Sequence, residues 1–233
     1  MARSKLRDIG RWHVTQFMRQ VAETLPEGCW LLDAGAGESA YKQLFSRQRY
    51  IAIDAAIGEA AWNYGNLDVV GTLAELPFAD QSLDAVVCTQ TLEHVENPYE
   101  SVAEFHRILR PGGRLFLTVP FAHAEHQIPY DYFRYTSYAL TSMCANAGFV
   151  EIRVEPFGGM FTRMAYELPS VLSVFPAAGW KTRRWKLRGL MWLPVKAILL
   201  TGIRMTQLLL LGVDRFDTAR IYPFGWSVSA RKC

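Results

Sequence analysis

Hydrophobic positions along this chain follow two periods that take turns. From Trp12 to Leu25 the apolar residues Trp12, Phe17, Val21 and Leu25 recur at helical spacing until Pro26-Glu-Gly stops them, which predicts one amphipathic helix. Cys29-Trp-Leu-Leu-Asp33 is then a short apolar run ending in Gly35 and Gly37, the form of a buried strand entering a tight turn. A helix is expected over residues 39–45. Tyr50-Ile-Ala-Ile-Asp54 repeats the form, a strand with an acid at its tip, and a weak third strand is expected around Asp68-Val-Val. Leu83-Asp-Ala-Val-Val-Cys-Thr89 reads as a fourth strand, residues 98–109 as a helix on Val102, Phe105 and Leu109, and residues 114–120 as a fifth strand after Pro111-Gly-Gly. Residues 136–147 form a helix ending at Gly148, residues 149–154 a sixth strand, and Phe224 to Lys232 a last one. Strands alternating with helices imply a doubly wound, mainly parallel α/β sheet of seven strands covered on both faces. In such a sheet the ligand sits at the carboxyl ends of the strands.

Between the sixth and last strands lie more than sixty residues, too many for an ordinary connection. Gly179-Trp-Lys-Thr-Arg-Arg-Trp-Lys-Leu-Arg188 is polybasic, and residues 189–213 are almost wholly apolar, with Trp180, Trp185 and Trp192 nearby. The expected organisation is therefore residues 1–158 with 221–233 as one domain, and residues 159–220 as a basic, apolar helical insert. Pro194, Lys196, Arg204 and Gln207 interrupt the apolar stretch. On a helical wheel Lys196, Thr201, Arg204 and Gln207 share one side, which favours a helix lying in an interface over one crossing a bilayer. The insert is read as meeting an anionic membrane surface through residues 180–213, or as a lid or homodimer interface. Its leucine-rich surface argues against nucleic acid.

Composition sharpens this contrast. The 233 residues carry a net charge of +3, but residues 160–213 alone hold eight Lys/Arg against Glu167, so the rest of the chain is mildly acidic. Half the residues are hydrophobic and a fifth charged, which excludes a disordered tail. Cys29, Cys88, Cys144 and Cys233 are far apart and form no zinc or disulfide pattern. Met1-Ala-Arg-Ser-Lys-Leu-Arg precedes no apolar run before Trp12, so no secretory signal is read and a cytoplasmic location is expected, peripheral on the inner membrane face if the insert binds lipid.

Asp33-Ala-Gly-Ala-Gly-Glu-Ser-Ala40 satisfies G-x-G-x-x-A, and Asp54 lies 19 residues after Gly35, the spacing of a ribose-binding acid. Charge decides which nucleotide fits. A pyrophosphate on this turn would face Asp33 and Glu38 and be repelled. S-adenosylmethionine carries a sulfonium and an ammonium and has no phosphate, so acids suit it.

At this point the chain resembles a class I S-adenosylmethionine-dependent methyltransferase. The matching stretches are Leu31-Leu-Asp-Ala-Gly-Ala-Gly37, Ile51-Ala-Ile-Asp54, Glu75-Leu-Pro-Phe-Ala-Asp-Gln-Ser-Leu-Asp84, Thr91-Leu-Glu-His-Val95 and Arg107-Ile-Leu-Arg-Pro-Gly-Gly-Arg-Leu115, in the family's order. The resemblance implies a Rossmann-like fold with S-adenosylmethionine as cofactor. It implies that Gly35 and Gly37 admit the methionine moiety, that Asp33 helps hold it and that Asp54 binds both ribose hydroxyls. Thr72, Leu73 and Ala74 would line the adenine, and Gln90 would lie beside the methionine end. The family's usual third glycine is Ser39 here, and an acid often found before the Leu-Pro-Phe segment is Thr72.

The densest polar cluster, residues 120–135, follows the fifth strand: two histidines, two acids, an arginine and three tyrosines lie between His123 and Tyr135. One reading makes His126 a general base for an acceptor hydroxyl, oriented by Asp131 or Glu125, with Arg134 or the tyrosines gripping the substrate. The other makes Asp131 and Arg134 a structural ion pair with the histidines as exposed loop residues. His94, after the fourth strand, is a further catalytic candidate. His123, Glu125 and His126 do not have a spacing that signals a metal, and none is expected. The expected function is methyl transfer to a small or amphipathic acceptor, an oxygen on a sugar, lipid-linked intermediate or similar metabolite. The alternatives are C-methylation of a quinone-like ring, and a non-catalytic cofactor-binding scaffold or membrane-associated interaction protein.

Overall fold

The computed structural model describes residues 8–58, 61–174 and 193–233. Seven strands form one sheet: β1 (Trp30–Ala34), β2 (Arg49–Asp54), β3 (Val69–Val70), β4 (Leu83–Thr89), β5 (Leu109–Pro120), β6 (Phe149–Phe157) and β7 (Gly225–Lys232). Their order is β3-β2-β1-β4-β5-β7-β6. The first five run parallel, and β7 pairs antiparallel with both β5 and β6. The chain leaves β1 toward β2 on one side and returns to β4 on the other. Adjacent strand ends therefore lead their loops in opposite directions between β1 and β4.

The described residues divide into two compact units, one of His13–Phe157 with Gly225–Cys233, the other of residues 8–12 and 158–224. In the first unit, strand alternation sends Leu32, Val86, Cys88, Leu115 and Leu117 to one face and Leu31, Ala85, Val87 and Phe116 to the other. Helices α2 (Pro98–Ile108) and α3 (Ser137–Asn146) cover the first face with Val102, Phe105, Ile108, Leu140 and Met143. Helix α1 (Ile9–Thr24) covers the second with Val14, Met18 and Val21, spaced as one helical stripe. Pro98 opens α2, where its missing N–H costs nothing, and the Thr136 side chain accepts from Ala139 N to cap α3.

Two expectations are corrected. Residues 39–45 form no α-helix: Ser39 has a left-handed backbone (φ 56°), and only a short 3₁₀ turn, Lys42–Phe45, follows. The chain must bury Phe45 and enter β2 at Arg49, which leaves no room for further helical turns. The alternation of strands and helices also lapses, since no α-helix lies among the described residues between β2 and β4. That stretch holds Gly58, Asn63, Gly65, Asn66 and Pro77, which favour turns, and side chains satisfy its backbone instead. Arg107 donates to the carbonyls of Leu76 and Phe78 and to Asp80 and Glu104, while Glu104 accepts from Leu76 N.

The second unit contains helices α4 (Met160–Glu167) and α5 (Leu193–Val213). Buried Asp214 accepts from Gly159 N and Thr162 N and pairs with Arg220 at 2.9 Å, and Asp217 accepts from Met160 N. Together they cap the start of α4. Burial pushes the Asp214 carboxyl up, yet these donors and Arg220 hold it below its ordinary value. Helix α5 is exposed over most of its described side chains: Gln207 is 2 % exposed and donates to Ala165 O, while Ile198 and Leu209 are 72 % and 66 % exposed, and the polar Thr201 and Arg204 are exposed as well. No helix among the described residues is long and apolar enough to cross a membrane. The polybasic run 179–188, with Trp180, Trp185 and Trp192, lies outside the described residues.

Arg107→Ala removes three partners in the segment after β3, and Glu104, and is expected to lower stability by about 1–3 kcal/mol, with Lys restoring less than half because it lacks the planar fork. Urea unfolding midpoints of the three proteins check this.

Candidate active site

The turn after β1 depends on a close approach. Gly35 has φ 80°, and a Cβ there would stand 2.1–2.6 Å from the Thr91 side chain. The Thr91 hydroxyl lies 3.1 Å from Gly35 O and 3.0 Å from Thr89 O. Gly35 and Ala36 both donate to Ile53 O, which ties the turn to the end of β2. Asp54, at that end, accepts from Gly37 N at 2.9 Å through one oxygen and from Ala56 N at 2.8 Å through the other. Its carboxylate is thus fixed, and each oxygen retains a lone pair.

Asp33, at the tip of β1, is buried, and the Tyr50 hydroxyl donates to its Oδ2. Its Oδ1 has no partner. Burial pushes this carboxyl up to about 7 against the pull of the Tyr50 hydrogen bond, and Asp54 adds a like charge. Trp62 stands 3.4 Å from where a Gly37 Cβ would be and packs against Tyr64, with ring centroids 6.2 Å apart. After β3, Thr72 and Ala74 are exposed whereas Leu73 is turned into the core, so only its backbone faces outward. Gln90, at the end of β4, adopts a left-handed backbone (φ 51°) and donates through Nε2 to the Thr118 hydroxyl at 3.3 Å.

A second cluster follows β4 and β5. Glu93 and His94 sit in a 3₁₀ turn after β4, and the Glu93 carbonyl accepts from Tyr132 N and Phe133 N, which folds the loop after β5 back over it. Asp131 is gripped by Arg134 through two bonds of 2.7 and 2.8 Å, and it accepts from His126 N at 2.9 Å. The Arg134 guanidinium holds the Asp131 carboxyl far below the usual carboxylate range. His126 Nδ1 lies 3.2 Å from Asp131 Oδ2, and the His126 ring centroid is 4.6 Å from that of His94 and 4.2 Å from that of His123. Burial pulls both His94 and His126 below their ordinary value, so each is a neutral imidazole at pH 7. His94 Nδ1 donates to Tyr130 O at 2.6 Å.

Asp131, rather than exposed Glu125, therefore orients His126. Arg134 needs a correction: expected to grip the substrate, it spends all five donors on Asp131 and the carbonyls of His123, Ala124 and Phe133. The ion pair is structural and also positions His126, so the two readings of this loop merge. Tyr50, Trp62, Thr91 and Glu93 went unnoticed in the sequence. Tyr50 meets Asp33 only through the β1–β2 register, in which Asp33 lies opposite Ala52, two residues from Tyr50 on the same face.

A family model described as a methyltransferase domain matches residues 32–117, from β1 to within β5. A probable S-adenosylmethionine-dependent methyltransferase of Mycolicibacterium smegmatis is 36% identical over 96 residues, covering 39% of this chain and 37% of that protein. One of Mycobacterium tuberculosis is 31% identical over 134 residues, covering 52% and 49%. Residues 32–117 are thus similar to a methyltransferase domain, and the relatives matched over this stretch are named S-adenosylmethionine-dependent methyltransferases. The chain spans between about a third and a half of the length of these curated relatives. Among solved structures, a methyltransferase from Archaeoglobus fulgidus superposes with a TM-score of 0.57 at 16% identity, covering 94% of this chain and 93% of that one. The [4+2]-cyclase SpnF gives 0.56 at 20% identity, covering 94% and 81%, so the fold alone does not fix the chemistry.

The residues at the ends of β1 and β2 fit S-adenosylmethionine. The buried Asp33 Oδ1 without a donor is the atom a cationic amino-acid end would satisfy, and Asp54 offers two fixed oxygens to a diol. Ser39, further along this turn, has a left-handed backbone.

A cationic ligand binds the ionised form of Asp33, so affinity rises with pH through the folded value near 7 and levels above it. Calorimetry is expected to show S-adenosylmethionine binding about tenfold weaker at pH 6 than at pH 8. Asp33→Asn should lose both the step and most of the affinity.

Proposed function

We propose that the protein transfers a methyl group from S-adenosylmethionine to an oxygen of a small or amphipathic acceptor, with His126 as the base. Asp33, Gly35, Gly37 and Asp54 hold the cofactor, and Thr72, Ala74 and Gln90 border it. When bound, the cofactor supplies an electrophilic methyl on a sulfonium. The observation that carries the reading is the His126–Asp131–Arg134 arrangement beyond the carboxyl end of β5. With Nδ1 turned to Asp131, the Nε2 lone pair of neutral His126 takes the acceptor's hydroxyl proton as the oxygen–carbon bond forms. The resulting imidazolium is stabilised by the Asp131 carboxylate, which Arg134 keeps ionised. His94 walls the same cluster. In-line displacement gains most from positioning and exclusion of water, so the base contributes only where the acceptor must lose a proton.

C-methylation of a quinone-like ring is the second reading. It is favoured by the ubiquinone/menaquinone biosynthesis C-methyltransferase UbiE of Pseudoalteromonas translucida, 39% identical over 75 residues and matched over 30% of each chain.

The acceptor is read as lipid-linked, with the protein peripheral on the inner, anionic face of a membrane. The exposed apolar residues of α5 support this: Gln207 is held inward by Ala165 O while Ile198, Met205, Leu208 and Leu209 are exposed. The adjoining sequence 179–188 carries the basic residues that would meet lipid phosphates.

Asp54→Ala should abolish measurable cofactor binding in calorimetry. His126→Gln should keep that binding and lower kcat about 10²–10⁴-fold on a hydroxyl acceptor drawn from membrane or soluble extracts; unchanged turnover removes the base. Vesicles containing anionic phospholipid should sediment the protein at low salt, and Leu208→Ser with Leu209→Ser should release it. Absence of sedimentation ends the membrane reading.

A further inference from the structure

The Glu93 carboxyl is fully buried, and neither of its oxygens has a hydrogen-bond partner. Burial pushes it up to about 8. Arg134 lies close enough to be felt electrostatically, but its five donors are engaged elsewhere in the loop. Directly beside Glu93 is a second orphan, His94 Nε2, buried without a partner and 3.9 Å from Glu93 Oε1. At 3.9 Å these two adjacent buried groups make no hydrogen bond to each other.

His126 completes the set. One ligand atom from each of Glu93, His94 and His126 lies within 4.8 Å of the other two. The tautomers are arranged for coordination. His94 gives its Nδ1 proton to Tyr130 O at 2.6 Å, and His126 turns Nδ1 to Asp131 at 3.2 Å. The lone pair left on each ring is then at Nε2. A histidine whose far nitrogen is bound to a carbonyl or carboxylate is the outer-shell pattern of metal-ligating imidazoles.

We propose that Glu93, His94 and His126 bind a divalent ion of the zinc class, with a fourth position open to water or an acceptor oxygen. Two imidazoles and one carboxylate are a ligand set suited to Zn²⁺, Co²⁺ or Ni²⁺ rather than to Mg²⁺ or Ca²⁺, which take oxygen ligands. A tetrahedral ion with bonds of about 2.0–2.2 Å draws its ligand atoms to roughly 3.3 Å from one another. Side-chain rotations from the present spacing close the cage. The ion would displace the Glu93 proton to solvent and satisfy His94 Nε2 in one step. It also competes with the proton for His126 Nε2, so the loaded site cannot use His126 as a free base. That consequence alone rests on the proposed function; the binding of the ion does not.

The test uses the full chain, stripped with a chelator, in a Cys233→Ser background so that the exposed thiol contributes nothing. Co²⁺ titration followed by visible absorption should show one equivalent bound with the intense bands of a four-coordinate ion, displaced by one equivalent of Zn²⁺. Glu93→Gln and His94→Gln should each weaken the ion more than tenfold, and Asp131→Asn, acting through His126, about 10–100-fold. Retained S-adenosylmethionine affinity in each variant verifies folding. Failure of the parent protein to bind Co²⁺ or Zn²⁺ overturns the site whatever the variants do, and means that water satisfies the two orphans. Binding of equal strength in Glu93→Gln and His94→Gln overturns it as well. Turnover inhibited by Zn²⁺ and restored by chelator supports competition at His126; a failed base assignment with intact Co²⁺ bands sinks the proposed mechanism and leaves the metal site standing.

Discussion

The contact between Gly35 and the Thr91 side chain is the constraint on which the first unit turns. β1 and β4 are neighbours in the sheet although β2 and β3 lie between them in sequence, and their outgoing loops part in opposite directions. Both loops begin at the same place, so one must give up volume. The chain gives it up at Gly35, where any Cβ would stand within 2.6 Å of Thr91 atoms. With the turn pressed there, Gly35 and Ala36 reach Ile53 O, and Gly37 N reaches Asp54. On the other side the chain passes from Thr91 directly into the turn that carries Glu93 and His94. The cofactor end and the acceptor end of the site are thus set by one close approach.

Charge satisfaction separates the acids around that approach. Asp131 is buried with every need met, by the Arg134 fork and the His126 backbone, and it is correspondingly held ionised. Asp33 and Glu93 are buried with needs unmet, and both are pushed toward the neutral form. A buried acid with a complete set of donors maintains geometry. One lacking them stores a cost that a cation relieves. In the first unit the two orphans are Asp33, in the β1 turn, and Glu93, beside two imidazoles.

The second unit follows the same logic in reverse. Asp214 is satisfied and caps a helix, while α5 turns Gln207 inward to a carbonyl and leaves leucines outward. An isolated exposed leucine needs no explanation, but a helix whose polar position is anchored and whose apolar positions are exposed has been oriented by that anchor.

Local rules made much of this legible in the sequence. The strands could be read because parallel strands buried on both faces are continuous apolar runs, and the turn after β1 because Gly35 and Gly37 follow such a run directly. Spacing named Asp33, Gly35, Gly37 and Asp54 before any contact was visible. It failed at residues 39–45, where the need to bury Phe45 and turn into β2 left only a 3₁₀ turn, and at Arg134 in the reading that gave it the substrate rather than the one that paired it with Asp131. Tyr50 with Asp33, Thr91 with Gly35 and Glu93 with His126 had no sequence signal at all, since each pair depends on strand order, register or the return of a loop. Periodicity and turn chemistry act between near neighbours and are written in the chain. Which buried groups find partners, and which are left without, depends on non-local contacts that only the folded sheet brings about.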